Sequence, residues 1–192
     1  MADADWRRFW RVFPWDSAAE AGAPFSPEYV VPADRQTKGR FDLGTSPVLY
    51  LAESPEHAVA ELLRSFTGRR LSAAQLIGAG HPLALVEVEL DPAVSPRLAD
   101  LTDPAILLRF GIHPDTLASR SRAATQEISK ALFEQGLTGF RWWSALHGDW
   151  HALLLFQSRI APAEMHYGVP EPLTLSQPAV LAAAEELRLD RP

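Results

Sequence analysis

The run Pro47-Val48-Leu49-Tyr50-Leu51-Ala52 passes without a break into Glu53-Ser54-Pro55-Glu56, and this junction constrains the fold more than any other stretch. A continuous apolar run bounded by turn formers is the pattern of a buried strand. The residues after it carry the signals of a helix start. Ser54 suits the N-cap, Pro55 the first helical position, and Glu56 the positive end of the helix dipole. The helix is predicted to run through Ala58, Leu62, Leu63 and Phe66 and to stop at Gly68.

Other segments extend this mixed pattern. Trp6 to Pro14 alternates aromatic and basic positions and reads as a short strand. Asp16 to Lys38, rich in Pro, Gly, Ala and Ser, has no period and reads as a long loop of the kind that carries function. Ala84 to Leu90 alternates apolar and acidic residues, as a half-buried strand does, which turns Glu87 and Glu89 to solvent. A helix is predicted from about Ser121 to Gln135 with Ala124, Ile128, Ala131 and Leu132 on one face and Gly136 as its stop. Gly139 to Ser144 and His151 to Phe156 flank a His147-Gly148-Asp149 turn and read as a β-hairpin. Beyond Pro162 the chain is proline-rich and ends in a helix from about Pro178 to Leu189, for which Ser176 is a candidate cap. The expectation is an α+β fold of antiparallel sheets with flanking helices.

At 192 residues and 47% hydrophobic, the chain has material for one sizeable core, so a single domain is expected. The net charge of −6 argues against a broad nucleic-acid interface, which needs a clustered basic face. Arg7, Arg8, Arg11, Arg64, Arg69 and Arg70 still allow a local basic pocket suited to a small anion. Cysteine is absent, which excludes disulfides and thiolate chemistry and fits a reducing compartment. The polar N-terminus has no apolar core of a signal peptide, and no apolar run is long enough to span a bilayer. A soluble cytoplasmic protein without membrane contact is expected.

Gly39-Arg40-Phe41-Asp42, Tyr50 in the predicted strand and Glu61 in the predicted helix place an arginine, a tyrosine and a carboxylate at the ends of consecutive elements. Singly, each has a plain reading: Arg40 as a loop arginine, Tyr50 as core, Glu61 as a solvated helix residue and Ser144 as a turn serine. Their joint order is the informative signal. Gly39-Arg40-Phe41-Asp42, then Leu49 to Pro55 leading to Ala60-Glu61, then Gly139-Phe140-Arg141-Trp142-Trp143-Ser144 together resemble the RES domain. That family is named for an arginine, a glutamate and a serine in this order, and Trp10-Arg11-Val12 looks like its opening strand. The resemblance runs from about Trp10 to Phe156.

The resemblance implies a fold similar to that of ADP-ribosyltransferase toxins. It also implies a bacterial toxin that consumes NAD by phosphorolysis or hydrolysis of the nicotinamide–ribose bond. NAD would be a substrate and inorganic phosphate a possible co-substrate; no prosthetic group or metal is expected. A helix-turn-helix antitoxin of the Xre type is the implied partner, and a homodimer is plausible. Carried over by motif, the catalytic residues are Arg40, Glu61 and Ser144, and the NAD-binding residues Arg11, Arg40, Tyr50 and Ser144. The catalytic domain is expected over 1–165, with 166–192 as an extension and helix packed on it or on a partner. Transfer of ADP-ribose to a cellular protein and a non-catalytic binding module are the alternatives.

The chemistry suits these residue types independently. Nicotinamide on ribose carries a positive charge and leaves as a neutral molecule without a general acid, so one carboxylate suffices where ordinary glycosides need two. Glu61 would stabilise the oxocarbenium-like ribose or hold a hydroxyl, Arg40 and Arg11 would grip the pyrophosphate, Tyr50 would offer a ring face and Ser144 a hydroxyl. Glu53 is the competing carboxylate, already explained by the helix N-terminus it precedes. His147 and His151 have the spacing of two metal ligands on a helix, but the turn between them argues otherwise. Of the six tryptophans, most are expected in the core, with Trp142 and Trp143 on opposite faces of a strand.

Overall fold

The computed structural model describes residues 7–190; Trp6, where the first strand was expected to begin, lies outside them. In chain order the elements are β1 (Arg8–Pro14), β2 (Val48–Ala52), α1 (Pro55–Leu63), β3 (Ile77–Gly78), β4 (His81–Leu90), β5 (Leu98–Asp100) and α2 (Pro104–Phe110). There follow α3 (Pro114–Ala118), α4 (Arg122–Glu134), β6 (Gly139–Trp143), β7 (His151–Phe156), β8 (Met165–Tyr167), β9 (Glu171–Pro172) and α5 (Pro178–Glu186). The fold is α+β, as the sequence indicates. Residues 7–29, 51–89 and 166–190 form one compact unit, and 30–50 with 90–165 form a second. No helix among the described residues is long and apolar enough to cross a membrane.

In the first unit β1 and β4 pair antiparallel from Arg8↔Glu89 to Pro14↔Leu83. Phe9 and Phe13, four positions apart on β1, are both buried, as the two-residue period of a strand requires. Trp10 pairs with Ala52 at the end of β2. On the other edge of β4, β3 pairs through a two-residue turn in which Ala79 and Gly80 both have positive φ, the geometry that matches strand twist in tight hairpins. With β9 also pairing there, β4 is a central strand. Leu83 to Val86 are accordingly all buried, and the expected alternation holds only from Glu87 onward.

Ser54 caps α1 as its position suggested, its hydroxyl accepting from His57 N–H at 3.2 Å. The helix stops at Leu63, earlier than expected. Arg64–Phe66 tighten into a 3-10 turn, and Gly68 at φ +78° completes the reversal. The buried face of α1, which includes Ala58, Val59, Ala60 and Leu63, lies against β1 and α5. From α5 it meets Val180, Ala183 and Ala184, none reached by solvent. Small residues on both helices allow the backbones to approach closely. Ser176 does not cap α5: the N-cap is Gln177 without a side-chain bond, and the Ser176 hydroxyl is 3.4 Å from that of Thr174.

In the second unit β6 and β7 form the expected hairpin, in register from Gly139↔Leu155 to Trp143↔His151. A Cβ on Gly139 would sit 2.1 Å from the Leu154 carbonyl oxygen, so only glycine fits there. β5 adds beside β6 in parallel, reached through α2, α3 and α4. A crossover of this length is what a parallel pair requires. Ser121 caps α4 by accepting from Ala124 N–H, and Gly136 ends it at φ +84°. The buried face of α4 is Thr125, Ile128, Ser129 and Leu132; Ala131, expected inside, is exposed. The core gathers Phe41, Leu101, Leu107, Leu117, Phe140, Leu154 and Phe156 with Ile128 and Leu132 of α4.

Candidate functional site

The turn Gly39–Asp42 in the second unit is held by side chains at four of its backbone groups. Gly39 N–H donates to Asp42 Oδ2 at 2.6 Å, and Phe41 N–H donates to the Tyr50 hydroxyl oxygen at 3.0 Å. The Gly39 carbonyl accepts from the Gln126 side-chain amide at 3.3 Å, and the Arg40 carbonyl accepts from the Thr125 hydroxyl. Tyr50 in turn donates its hydroxyl proton to Asp42 Oδ1 at 3.0 Å. A Cβ on Gly39 would lie 2.1 Å from Asp42 Oδ1 and 2.6 Å from the Tyr50 oxygen. The glycine is therefore demanded by packing against its own turn.

Burial and the neighbouring Asp42 carboxylate push the Tyr50 hydroxyl far above its ordinary value, with Phe41 N–H and Arg40 opposing. Tyr50 is thus a neutral donor at any physiological pH. The Arg40 guanidinium has Nη2 on the carbonyls of Leu117 and Ser119, the latter at 3.2 Å. These are the last residue but one and the C-cap of α3, where carbonyls lack helical partners and welcome a cation. Upstream, the Gln36 side-chain amide donates to Val48 O at 2.7 Å and accepts from Val48 N–H at 2.8 Å, tying the loop to the start of β2.

Ser144 follows β6. Its N–H donates to Trp150 O at 2.7 Å, and its hydroxyl accepts from Leu146 N–H at 3.1 Å. Two residues earlier, the Trp142 ring meets Phe41 and Tyr50 edge-on at 4.9 and 6.2 Å. The strand end bearing Ser144 and the turn bearing Arg40 are thus joined through one aromatic cluster. Trp142 is buried and Trp143 is 38% exposed, in line with opposite faces of a strand. Between them and β5, Arg141 Nη1 lies 3.3 Å from both Asp100 oxygens and 3.0 Å from the Thr102 hydroxyl.

Within the first unit, Glu61 lies on α1 with Arg64 Nη1 at 3.0 Å and His57 Nε2 at 3.7 Å. Arg11 donates from Nη1 to the carbonyls of Pro27 and Tyr29 at 3.2 and 3.1 Å. Burial lowers its pKa below the ordinary value, while Tyr167 and Glu28 work in the opposite direction. Arg11 thereby fastens the middle of the long loop to β1. Of the other arginines singled out by sequence, Arg64 pairs with Glu61, and Arg7, Arg8, Arg69 and Arg70 are exposed. Glu53 is half-buried just before the α1 cap. His147 accepts from Asp149 N–H at 3.2 Å, which makes the segment a turn.

Sequence reasoning missed Thr125 and Gln126, which support the arginine turn from α4. Their signal was a polar residue inside an apolar helix face. It also passed over Asp42 and His57, both nearly or wholly buried.

A family model described as the RES domain matches residues 8–176. No curated protein matches the sequence. Among solved structures, a chain in the crystal structure of the M. tuberculosis MbcT–MbcA toxin–antitoxin complex is similar. It is 19% identical, with 95% of this chain and 88% of that chain covered and a TM-score of 0.61.

Proposed function

Because the chain belongs to the RES-domain family, we propose that it is the toxin of a toxin–antitoxin pair and acts by consuming NAD at the nicotinamide–ribose bond. The observation that carries the reading is the Gly39–Asp42 turn, four of whose backbone groups are bonded by the side chains of Asp42, Tyr50, Thr125 and Gln126. A turn fixed to this degree holds one arginine in one place, which is what recognition of a pyrophosphate by a forked cation requires.

In the proposed reaction the bond between the ribose C1 and the nicotinamide nitrogen breaks, and its electron pair leaves with nicotinamide, neutralising the ring. The Glu61 carboxylate, 36% exposed, serves the positive charge that grows on the ribose. Arg40 takes the pyrophosphate, and the Ser144 hydroxyl a ribose oxygen or the nicotinamide amide. Tyr50 shapes the site by its ring, and Arg11 acts as the second arginine of the NAD site. An oxygen of inorganic phosphate, or of a water that releases a proton to solvent, then bonds to C1, giving ADP-ribose 1″-phosphate or ADP-ribose. A solved structural neighbour in complex with an antitoxin supports a protein partner, for which a helix-turn-helix antitoxin is the proposal. Residues 1–165 are proposed as the catalytic part and 166–192 as an extension to it.

The test is incubation of the purified protein with NAD, with and without phosphate, and identification of products by mass. ADP-ribose 1″-phosphate formed only with phosphate establishes a phosphorylase, and ADP-ribose in either buffer a hydrolase. Intact NAD overturns the proposal and turns attention to ADP-ribose transfer onto protein.

A further inference from the structure

We propose that Asp42 is a positioning residue, acting with the Tyr50 hydroxyl to fix the turn that presents Arg40. The inference rests on the reading of Arg40 as the NAD-binding arginine.

A tyrosine hydroxyl has one proton to donate. Here it goes to Asp42 Oδ1 at 3.0 Å, while the same oxygen accepts from Phe41 N–H at 3.0 Å. The hydroxyl is thus committed to the turn and has no proton left for a ligand. Asp42 is only 6% exposed, and its other oxygen takes Gly39 N–H at 2.6 Å. One carboxylate therefore closes both ends of the turn: directly onto the residue before Arg40, and through Tyr50 onto the residue after it. Arg40 sits between two clamped amides, with Nη2 on the Leu117 and Ser119 carbonyls. If either clamp is lost, the backbone that aims the guanidinium is released while the guanidinium itself stays chemically intact.

The test uses the isosteric variants Asp42→Asn and Tyr50→Phe in the full chain, with two readouts. The first is amide hydrogen exchange at Gly39 and Phe41 without NAD. Faster exchange in both variants is expected, and wild-type rates overturn the proposal whatever the activity. The second is kcat/KM for NAD. Each variant is expected to lose about tenfold or more, chiefly through KM. The double variant should be no worse than the weaker single one. In an Arg40→Lys background, Asp42→Asn should cost less than twofold. Losses that multiply, or an Asp42→Asn cost undiminished by Arg40→Lys, mean that Asp42 and Tyr50 meet the substrate themselves and overturn the proposal. A wild-type protein that leaves NAD intact refutes the NAD reading instead, and the exchange rates then decide the positioning role alone.

Discussion

Glu61 Oε1 lies 3.7 Å from Nε2 of His57, one turn earlier on α1, so a carboxylate open to solvent rests beside an imidazole that solvent does not reach. Arg64 meets the other oxygen from the outside at 3.0 Å. The outer pair is a surface contact, worth up to about 1 kcal/mol. Both contacts are local, within four residues along the chain, and glutamine keeps the shape of the glutamate side chain while removing its charge.

Glu61→Gln should accordingly leave the thermal midpoint close to that of wild type while NAD consumption falls by about a hundredfold or more, the scale on which charge stabilisation of a transition state operates. Parallel melting curves and NAD assays decide it: an equal loss of both properties would make Glu61 a structural residue.

Gly39→Ala should destabilise the protein by about 1–3 kcal/mol, the ordinary cost of overpacking. The added methyl meets Asp42 and Tyr50 at 2.1 and 2.6 Å, and the turn must open to admit it. Urea titration measures the shift, and an unchanged midpoint would show that the turn yields without strain.

Ala183→Leu should cost a similar ~1–3 kcal/mol, because Ala183 on α5 is closed to solvent where that helix packs on α1. Circular dichroism melts report it. A tolerated leucine would mean that α5 can slide away from the helix bearing Glu61. The family match ends at residue 176, before α5 begins.

Alkaline stability carries a sign. Burial raises the Tyr50 hydroxyl above its ordinary value near 10, and Tyr167 moves the same way. The unfolded chain then loses these protons before the folded one does, so stability is full below pH ~10 and declines above it. Tyr50→Phe should flatten that decline by up to about one proton. Denaturant titrations between pH 8 and about 11 test it, and an identical slope in the variant would remove Tyr50 from the account.

The strands and helices with strong periods or caps were legible: β1, β2, α1, β4, α4 and the β6–β7 hairpin all lie close to where the residues indicate. The stretch between β4 and α4 was not. Its α2 and α3 are seven and five residues long, too short to display a period. The one signal available was local: Asp103 before Pro104, with the aspartate accepting from Ala105 N–H at 2.8 Å. Of the candidate site, Arg40, Tyr50, Glu61 and Ser144 were visible as residues, but the supports of Arg40 were not. Thr125 bonds a carbonyl 85 positions earlier in the chain, a relation no local pattern encodes. The same bond explains the altered face of α4, since a threonine that serves a loop must point inward.

The Gln36 amide offers Val48 one N–H and one C=O, and receives the reciprocal groups at 2.7 and 2.8 Å. To the backbone of β2 it is a neighbouring strand one residue long. A backbone group left unpaired away from water costs about as much as a lost hydrogen bond. Here a single primary amide satisfies both Val48 groups where β2 begins, at the end of the strand away from its Trp10↔Ala52 pairing, so the long loop supplies there the partner that a strand would otherwise have to provide.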